Sequence, residues 1–371
     1  MNLSINYLAS VFNSTLRYMT PLLLVTLCAG VCSKARVFNI GLEGTLLMSA
    51  FFAFLTQYFT RNIFLAVLVG MITGMIVTFV IAFFIVRLNG EPMIVGMAVN
   101  KFAQGLTTFL LQMIFHTKGT VSDTSMKGLT KIAIPGIRDI PVIGTMFGNL
   151  TVLDYLAFVL AVVMFIIMYR TVIGFRIRCI GINPEAAGSL GVRVPRYQII
   201  ATTLSGSMIG LAGCLLSLGS VTMFMQNISA ARGYVAIAAN NLCFGHPLGA
   251  LASSALFGFT TALAQVLQNS ALKQQLLQCI PYISTILAMM VFNFANAKKK
   301  YEAHGYRLPQ IVFWNVAARH RNQPVSLNEQ GVALVSGVTP RLFGMVAGEL
   351  ESPYAFMLEV LGSERYERIS A

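Results

Sequence analysis

The chain has 371 residues, of which 56% are hydrophobic and only 11% are charged, and its formal net charge is +13. Soluble domains carry about 25% charged residues, so this composition excludes an ordinary soluble enzyme and predicts a polytopic helical membrane protein in a lipid bilayer. Most basic residues lie in short segments between apolar stretches, where they set membrane orientation, so the positive charge does not indicate a nucleic-acid partner.

Apolar windows recur along the first 297 residues at about the length that crosses a bilayer. They predict an all-α domain with about eight or nine transmembrane helices. Residues 1–17 have an amphipathic pattern and are expected at the membrane interface, and a weaker apolar segment at 229–245 contains Asn240 and Asn241. The clear spans are expected at 18–33, 40–58, 63–87, 93–115, 151–170, 197–219, 247–268 and 276–295.

The loops between these spans determine the expected topology. The arginine-rich loop 171–196 and Lys298–Lys300 should both be cytoplasmic, because short basic loops stay inside. Only an even number of crossings can separate them, so we expect 229–245 to cross as well, with its asparagines facing protein or water. Loop 116–150 is then outside, where it can cover a substrate opening, and the N-terminus is outside if 18–33 crosses.

A short polar segment within the arginine-rich loop reads Gly-Ile-Asn-Pro-Glu-Ala-Ala-Gly-Ser-Leu-Gly. Its asparagine is a good N-cap, its proline suits the first helical position, and its glutamate favours a helix N-terminus. We expect a short helix outside the membrane that transmits force to a soluble partner; an ordinary connecting loop is the alternative. The residues of this expected coupling loop are Gly181, Asn183, Pro184, Glu185, Ala186, Ala187 and Gly191.

The segment Val37–Gly44 places Glu43 at the start of an apolar helix, where a charge is costly unless it is paired or hydrated. Two interpretations stay open: a polar station on a solute path, or a helix start held by a local charge. No catalytic or metal-ligating residue is expected. The four histidines have no carboxylate or cysteine at ligand spacing, and the six cysteines form no metal or disulfide pattern.

These segments resemble a known family. Phe38–Gly44 resembles the Asn-Ile-Gly-x-Glu-Gly signature of permease subunits of bacterial ABC importers for branched-chain amino acids, simple sugars and nucleosides. The segment 181–191, the glycine-rich stretch Leu204–Gly213 and the run Gly233–Phe259 are similar to three further motifs of that family, in the same order. The similarity covers about residues 10–297 and is nearest to nucleoside-type permeases, which implies the bacterial cytoplasmic membrane.

The resemblance implies that the chain forms half of a translocation pathway and pairs with a second, similar permease. An extracytoplasmic solute-binding protein would deliver the solute, and ABC ATPase subunits would dock on loop 176–193 and switch the pathway between outward and inward access. The chain has no Gly-x-x-x-x-Gly-Lys-Ser/Thr loop. ATP would therefore be used by the partner subunits, and no cofactor is expected on the chain itself.

Amide and aromatic side chains in the spans suit uncharged, hydroxyl-rich solutes such as nucleosides. Each of these side chains is equally well suited to form a hydrogen bond between two helices instead of contacting a solute. Lys101, Asn240 and Asn241 depart from the residues usual in the family, which leaves the solute open. The expected pathway residues are Asn39, Glu43, Asn100, Gln104, Phe224, Asn240 and Asn241.

The chain changes character near residue 298, and the tail that follows holds the only tryptophan. Its pattern predicts a small soluble α/β fragment with strands at Gln310–Val316 and Val332–Val335 and helices at Pro340–Ala347 and Pro353–Leu361. It resembles the end of a bacterial and phage family with a von Willebrand factor A-like domain, without that domain's metal site. We expect a permease domain at 1–297 and a fusion fragment or assembly artefact at 298–371.

Two other functional classes are compatible with a polytopic chain. A stand-alone secondary transporter or channel would need no ATPase and would want paired charges inside the membrane, for which Glu43 and Lys101 are the candidates. A membrane-anchored scaffold would need a partner for the tail and would tolerate substitutions in the spans.

Overall fold

The computed structural model describes residues 2–117, 119–122, 126, 128–130, 150–219, 222–267, 283, 284, 287, 290, 325–327 and 333–335. The chain divides into two compact units, Met1–Met289 and Met290–Ala371. The described part of the first unit contains ten helices and two short strands. They are α1 (Asn2–Lys34), α2 (Leu42–Thr60), α3 (Ile63–Arg87), α4 (Pro92–Phe115), β1 (Thr120–Ser122), α5 (Val152–Arg170), α6 (Val172–Ile182), α7 (Pro184–Ser189), α8 (Val194–Leu218), β2 (Met223–Met225), α9 (Arg232–Cys243) and α10 (Pro247–Leu267).

Six helices of the described residues are long and apolar enough to cross a membrane, namely α1 from Val11 onward, α3, α4, α5, α8 and α10 to Val266. The expected helical membrane class is confirmed. The amphipathic residues 1–17 are continuous with the first span in a single helix, rather than forming a separate interfacial element. The expected span at 40–58 is α2, which carries the buried polar side chains Glu43 and Gln57. The expected span 276–295 lies largely outside the described residues.

The helix α8 is the centre of the bundle and packs against α1, α2 and α3. The backbones of α8 and α3 approach each other closely, because glycines of the two helices face each other where they meet. A Cβ atom on Gly74 would lie 2.3 Å from the carbonyl oxygen of Gly206, and one on Gly210 would lie 2.5 Å from that of Gly70. The predicted small-residue face on the glycine-rich segment is therefore a helix-packing surface.

One end of the bundle gathers most of the basic side chains among the described residues, and we call it the basic end. The side chain of Gln198 donates to the carbonyl of Ala35 at 3.0 Å, and Gly181 lies against the backbone of Lys34. These contacts place the end of α1 beside the start of α8 and the loop that precedes it. The basic side chains at this end are Lys34, Arg36, Arg87, Arg170, Arg176, Arg178, Arg193 and Arg196.

The opposite end is closed by a two-stranded antiparallel sheet in which Val121 pairs with Phe224. Beside it, the amide of Leu129 donates to the carbonyl of Leu218 at 2.8 Å, at the end of α8. The described residues of loop 116–150 therefore lie at the opposite end of the bundle from loop 171–196, as the predicted topology requires.

The chain between α8 and α10 passes from the far end to the basic end. It begins after Leu218 at the sheet, and near its end Gly245 lies against Gly30 and Lys34 in the final turns of α1. The helix α9 has 12 residues, or about 18 Å, which is short of the roughly 20 residues that a spanning helix needs. The expected crossing at 229–245 is thus an interrupted one, completed by the strand and turns that precede α9.

The described residues of the second unit are Met290 and two strands, β3 (Val325–Leu327) and β4 (Ala333–Val335), which pair antiparallel. The second strand falls within the predicted Val332–Val335. The predicted strand Gln310–Val316 and the two predicted tail helices lie outside the described residues.

Candidate functional site

The carboxylate of Glu43 is buried where α2 meets the start of α9. Its Oε1 accepts hydrogen bonds from the hydroxyl of Ser229 at 2.5 Å and the amide of Ala231 at 2.9 Å, and its Oε2 accepts from the amide of Gly233 at 2.7 Å. The first amides of a helix have no partner within the helix and carry its positive end. Glu43 therefore acts as a charged cap, supplied from another helix, for the interrupted crossing.

This contact explains a glycine in the predicted motif. A Cβ atom on Gly233 would lie 2.5 Å from the amide nitrogen and 2.6 Å from the Cα atom of Glu43. Only a residue without a side chain lets the start of α9 approach α2 so closely. The motifs around Glu43 and around Gly233, which are far apart in the sequence, are therefore in contact. We call this contact, between the start of α2 and the start of α9, the joint.

Asn100 ties a third helix to this joint. Its Oδ1 accepts from the amide of Gly44 at 2.7 Å, and its Nδ2 donates to the carbonyl of Ile40 and to the hydroxyl of Tyr234, both at 3.0 Å. Asn100 is the ninth residue of the 24-residue α4, so the joint lies along the span rather than at one end of the bundle. Asn39 stays local, since its Oδ1 accepts from the amide of Gly41 at 2.9 Å.

An exposed polar stripe runs along α4 beside this joint. Gln104 and Lys101 are exposed and Thr108 is half-buried, at intervals of three or four residues, so they share one face of the helix with the exposed Gln112. The side chain of Gln226, which follows β2, donates to the hydroxyl of Thr108 at 3.3 Å. We call Lys101, Gln104, Thr108 and Gln112 the α4 polar stripe.

The helix α9 continues this surface. Tyr234 is 45% exposed, and Asn241 is exposed two turns further along the same face. The hydrogen bond from Asn100 to Tyr234 joins this face to α4. The structure therefore brings four of the predicted pathway residues close to one surface: Gln104 and Asn241 are exposed on it, and Asn100 and Glu43 support it from beneath.

The remaining predicted pathway residues are buried in other contacts. The ring of Phe224 is fully buried and packs against Phe51 and Phe54, with ring centroids 5.1 and 6.1 Å away. Asn240 is buried, and its Oδ1 has no hydrogen-bond partner within the described residues. It lines a cavity of about 10 Å³ beside Gly30, which is the size of one water molecule.

The predicted coupling loop forms the short helix α7 at the basic end. The Oδ1 atom of Asn183 accepts from the amides of Glu185 and Ala186 at 3.0 and 3.1 Å, and Pro184 is the first helical residue. The helix ends at Ser189, and Gly191 follows with a φ of +82°, which suits glycine. The predicted N-cap and helix are therefore present in this segment.

The surface of α7 is unusual for its apolar flanks. Ile182 before the helix and Leu190 after it are each 83% exposed, while Ala187 is buried and anchors the helix to the bundle. Gly181, in the last turn of α6, lies against the backbone of Lys34, so the helix that leads into α7 is fixed to the end of α1. A capped helix with exposed apolar residues on both sides is suited to contact a protein partner.

Sequence reasoning missed two residues that the structure brings into the joint, Ser229 and Tyr234. A serine shortly before an expected helix start was the available signal for the first. Nothing in the sequence placed Tyr234 beside Asn100, since 133 residues separate them. Within the described residues no three His, Cys, Asp or Glu side chains come together as a metal ion would require.

Comparison with known proteins gives matches over both parts of the chain. The family described as branched-chain amino acid transport system / permease component matches residues 11–295. A domain of unknown function matches residues 288–353, a match that leaves the predicted von Willebrand factor A-like kinship of the tail untested.

Individual relatives agree with the first match. The nucleoside ABC transporter permease protein NupC of Lactococcus lactis is 30% identical over 78% of this chain and 93% of its own length. The guanosine ABC transporter permease protein NupQ of Bacillus subtilis is 31% identical over the same shares. A Haloferax volcanii protein assigned as a glucose ABC transporter permease, TsgC13, is 28% identical over 76% of this chain and 92% of its own length. The chain is therefore a multi-pass membrane protein that belongs to the branched-chain amino acid transport system permease family.

Proposed function

We propose that the chain is the transmembrane subunit of an ATP-driven importer and forms half of the pathway for nucleosides or related small polar solutes such as simple sugars. Family membership supports a transport role without catalysis, and two relatives that the chain covers almost completely are named for nucleoside or guanosine transport. ATP would be used by partner ATPase subunits. A second permease and an extracytoplasmic solute-binding protein would complete the importer.

The helix α7 is the observation that supports coupling of the chain to the ATPase subunits. It is a rigid, capped helix at the basic end, with Ile182 and Leu190 exposed on either side. Basic loops stay in the cytoplasm, so this end would face the ATPase subunits. A helix that packs against α6 and α8 can pass a displacement of a docked partner through them to the spans.

The pathway would run along the α4 polar stripe and the face of α9 that carries Tyr234 and Asn241. Exposed amide and ammonium groups in the middle of a span cannot be satisfied by lipid, so this surface should face water or the second permease. The exposed ring of Tyr234 offers a stacking surface for a base, and Gln104 offers both a donor and an acceptor. Asn39, Glu43, Phe224 and Asn240 would hold this surface in place rather than contact the solute.

The stand-alone transporter alternative loses its best candidate for an ion-coupling pair. Both oxygens of Glu43 accept hydrogen bonds from Ser229, Ala231 and Gly233. Lys101 makes no ion pair with any described residue and is exposed on α4. A coupling site built from these two charges would need them in contact.

Partner capture tests the coupling helix. The detergent-solubilised chain would be pulled down from its native host, and its partners identified by mass spectrometry, for wild type, Glu185→Arg and Glu91→Arg. Glu91 is an exposed acid at the same end, before α4, so it controls for the charge change. We expect an ATPase subunit and a second permease with wild type and Glu91→Arg, and loss of the ATPase with Glu185→Arg. Absence of any ATPase with wild type would contradict the importer and favour the stand-alone transporter.

Uptake measurements test the pathway. Cells that lack the native gene would be complemented with wild type, Gln104→Ala, Asn241→Ala or Met113→Ala, and uptake of radiolabelled guanosine measured against competing uridine, ribose and glucose. Met113 is an exposed apolar residue of α4 outside the polar stripe. We expect KM to rise for the first two variants with unchanged thermal stability, and no change for Met113→Ala. Equal KM values for all three variants would contradict this pathway.

A further inference from the structure

A cavity of about 460 Å³ opens at the basic end, between α6, the residues that follow α7, and the first turns of α8. Three arginines line it, Arg176, Arg193 and Arg196, and no acidic side chain does. The acids of this end among the described residues are Glu91 and Glu185, and neither lines the cavity. The cavity therefore carries uncompensated positive charge and is suited to an anion.

One of these arginines is held in position. Arg176 donates a hydrogen bond to the hydroxyl of Tyr197, and its guanidinium lies over the Tyr197 ring with its carbon 5.6 Å from the ring centroid. A guanidinium that is positioned in advance loses less freedom when it binds a phosphate, which it can contact through two parallel hydrogen bonds.

An exposed apolar surface leads from this cavity along α8. Ile200 and Leu204 are 56% and 61% exposed and follow Arg196 at intervals of four residues, so the three side chains lie on one face of the helix. Leu204 is one residue before Ser205, whose hydroxyl accepts from the thiol of Cys28 inside the bundle. The surface thus runs from the basic end toward the middle of the membrane.

Exposed apolar side chains also precede Arg176 along α6. Ile173 and Phe175 of α6 are 58% and 60% exposed, next to Arg176. Arginine at the headgroup level, with apolar side chains one and two turns deeper, is the arrangement in which a basic side chain reaches the membrane interface. A free anion would use the arginines alone and leave these apolar residues without a role.

We propose that this cavity binds an anionic phospholipid of the adjacent leaflet. Its phosphate would contact Arg176, Arg193 and Arg196, and an acyl chain would lie along Ile200 and Leu204. The site borders α7, so a bound lipid would brace the coupling helix against α8. The proposal does not depend on which solute is transported.

Native mass spectrometry of the purified full-length chain tests the site. The chain would be titrated with dioleoyl phosphatidylglycerol, dioleoyl phosphatidylcholine or soluble glycerol 3-phosphate. We expect phosphatidylglycerol to bind at least tenfold more tightly than the other two. If each arginine favours an anionic lipid about fivefold, the double variant Arg193→Gln/Arg196→Gln should lose about 25-fold. The double variant Arg36→Gln/Arg87→Gln removes the same charge at the same end without touching the cavity and should bind as wild type does.

Each other result overturns part of the proposal. Equal losses of phosphatidylglycerol affinity in both double variants would show that the lipid is attracted by the surface charge in general and not by this cavity. Equal affinity for phosphatidylglycerol and phosphatidylcholine would remove the role of the arginines, and glycerol 3-phosphate binding as tightly as the lipid would make this a free-phosphate site. A photoreactive phosphatidylglycerol on the wild-type chain needs no variant: crosslinks should map to residues 190–204, and crosslinks confined elsewhere would refute the site.

Discussion

The substitution Glu43→Ala separates a structural role from a solute-binding role. It removes the acceptor of three donors, the hydroxyl of Ser229 and the amides of Ala231 and Gly233. A buried donor left without a partner costs about 1–3 kcal/mol, so three of them predict a loss of at least about 3 kcal/mol in the free energy of unfolding. In a protein of this size that corresponds to a fall of about 4 °C or more in the melting temperature.

The measurement is the thermal loss of the monodisperse peak of the detergent-solubilised chain, with guanosine uptake recorded in parallel. Glu43→Gln keeps one acceptor oxygen but loses the charge at the start of α9, so it should fall between wild type and Glu43→Ala. The control is Glu91→Gln, which changes an exposed acid in the same way and should melt as wild type does. An unchanged melting temperature for Glu43→Ala, with uptake abolished, would refute the cap and restore Glu43 as a solute contact.

Three further predictions use the same melting assay or the uptake assay. Gly210→Ala should lower the free energy of unfolding by about 1–3 kcal/mol because its Cβ would meet the α3 backbone, whereas Gly105→Ala, with nothing within 4 Å of its Cβ, should not destabilise; equal effects would contradict the close helix contact. Phe224→Ala should cost about 3–5 kcal/mol, and Phe102→Ala, whose ring is 62% exposed, far less; the reverse order would return Phe224 to the pathway. Deletion of 301–371 should leave uptake intact, and loss of uptake at normal expression would show that transport requires the tail.

The elements that the sequence predicts well are those whose causes are local. The helix α7 follows from Asn183 and Pro184, which satisfy and initiate its first turn without help from the rest of the fold. The spans follow from apolar runs of bilayer length. The face that contains Gly206 and Gly210 is also visible, because small residues at helical spacing mark close helix contacts in membranes.

The site could not be predicted to the same extent because its contacts join distant parts of the chain. Glu43 meets Gly233 across 190 residues, and Asn100 meets Tyr234 across 134. A polar residue in an apolar span looks the same in sequence whether it faces solute or another helix. Exposure, which only the fold decides, places Gln104 and Asn241 on a surface while Phe224 is buried among aromatic rings.

The interrupted crossing gives the reason for so many polar side chains inside an apolar bundle. A continuous spanning helix satisfies its own backbone, but the start of α9 leaves the amides of Ala231 and Gly233 without a helical partner. Glu43 supplies the missing acceptors, and Asn100 fixes the neighbouring chain from the opposite side. Because the polar atoms of these side chains already form hydrogen bonds that join the helices, we expect the solute to be recognised by groups that remain exposed beside them. For this reason the search for specificity should begin at Gln104, Tyr234 and Asn241 rather than at the buried acid.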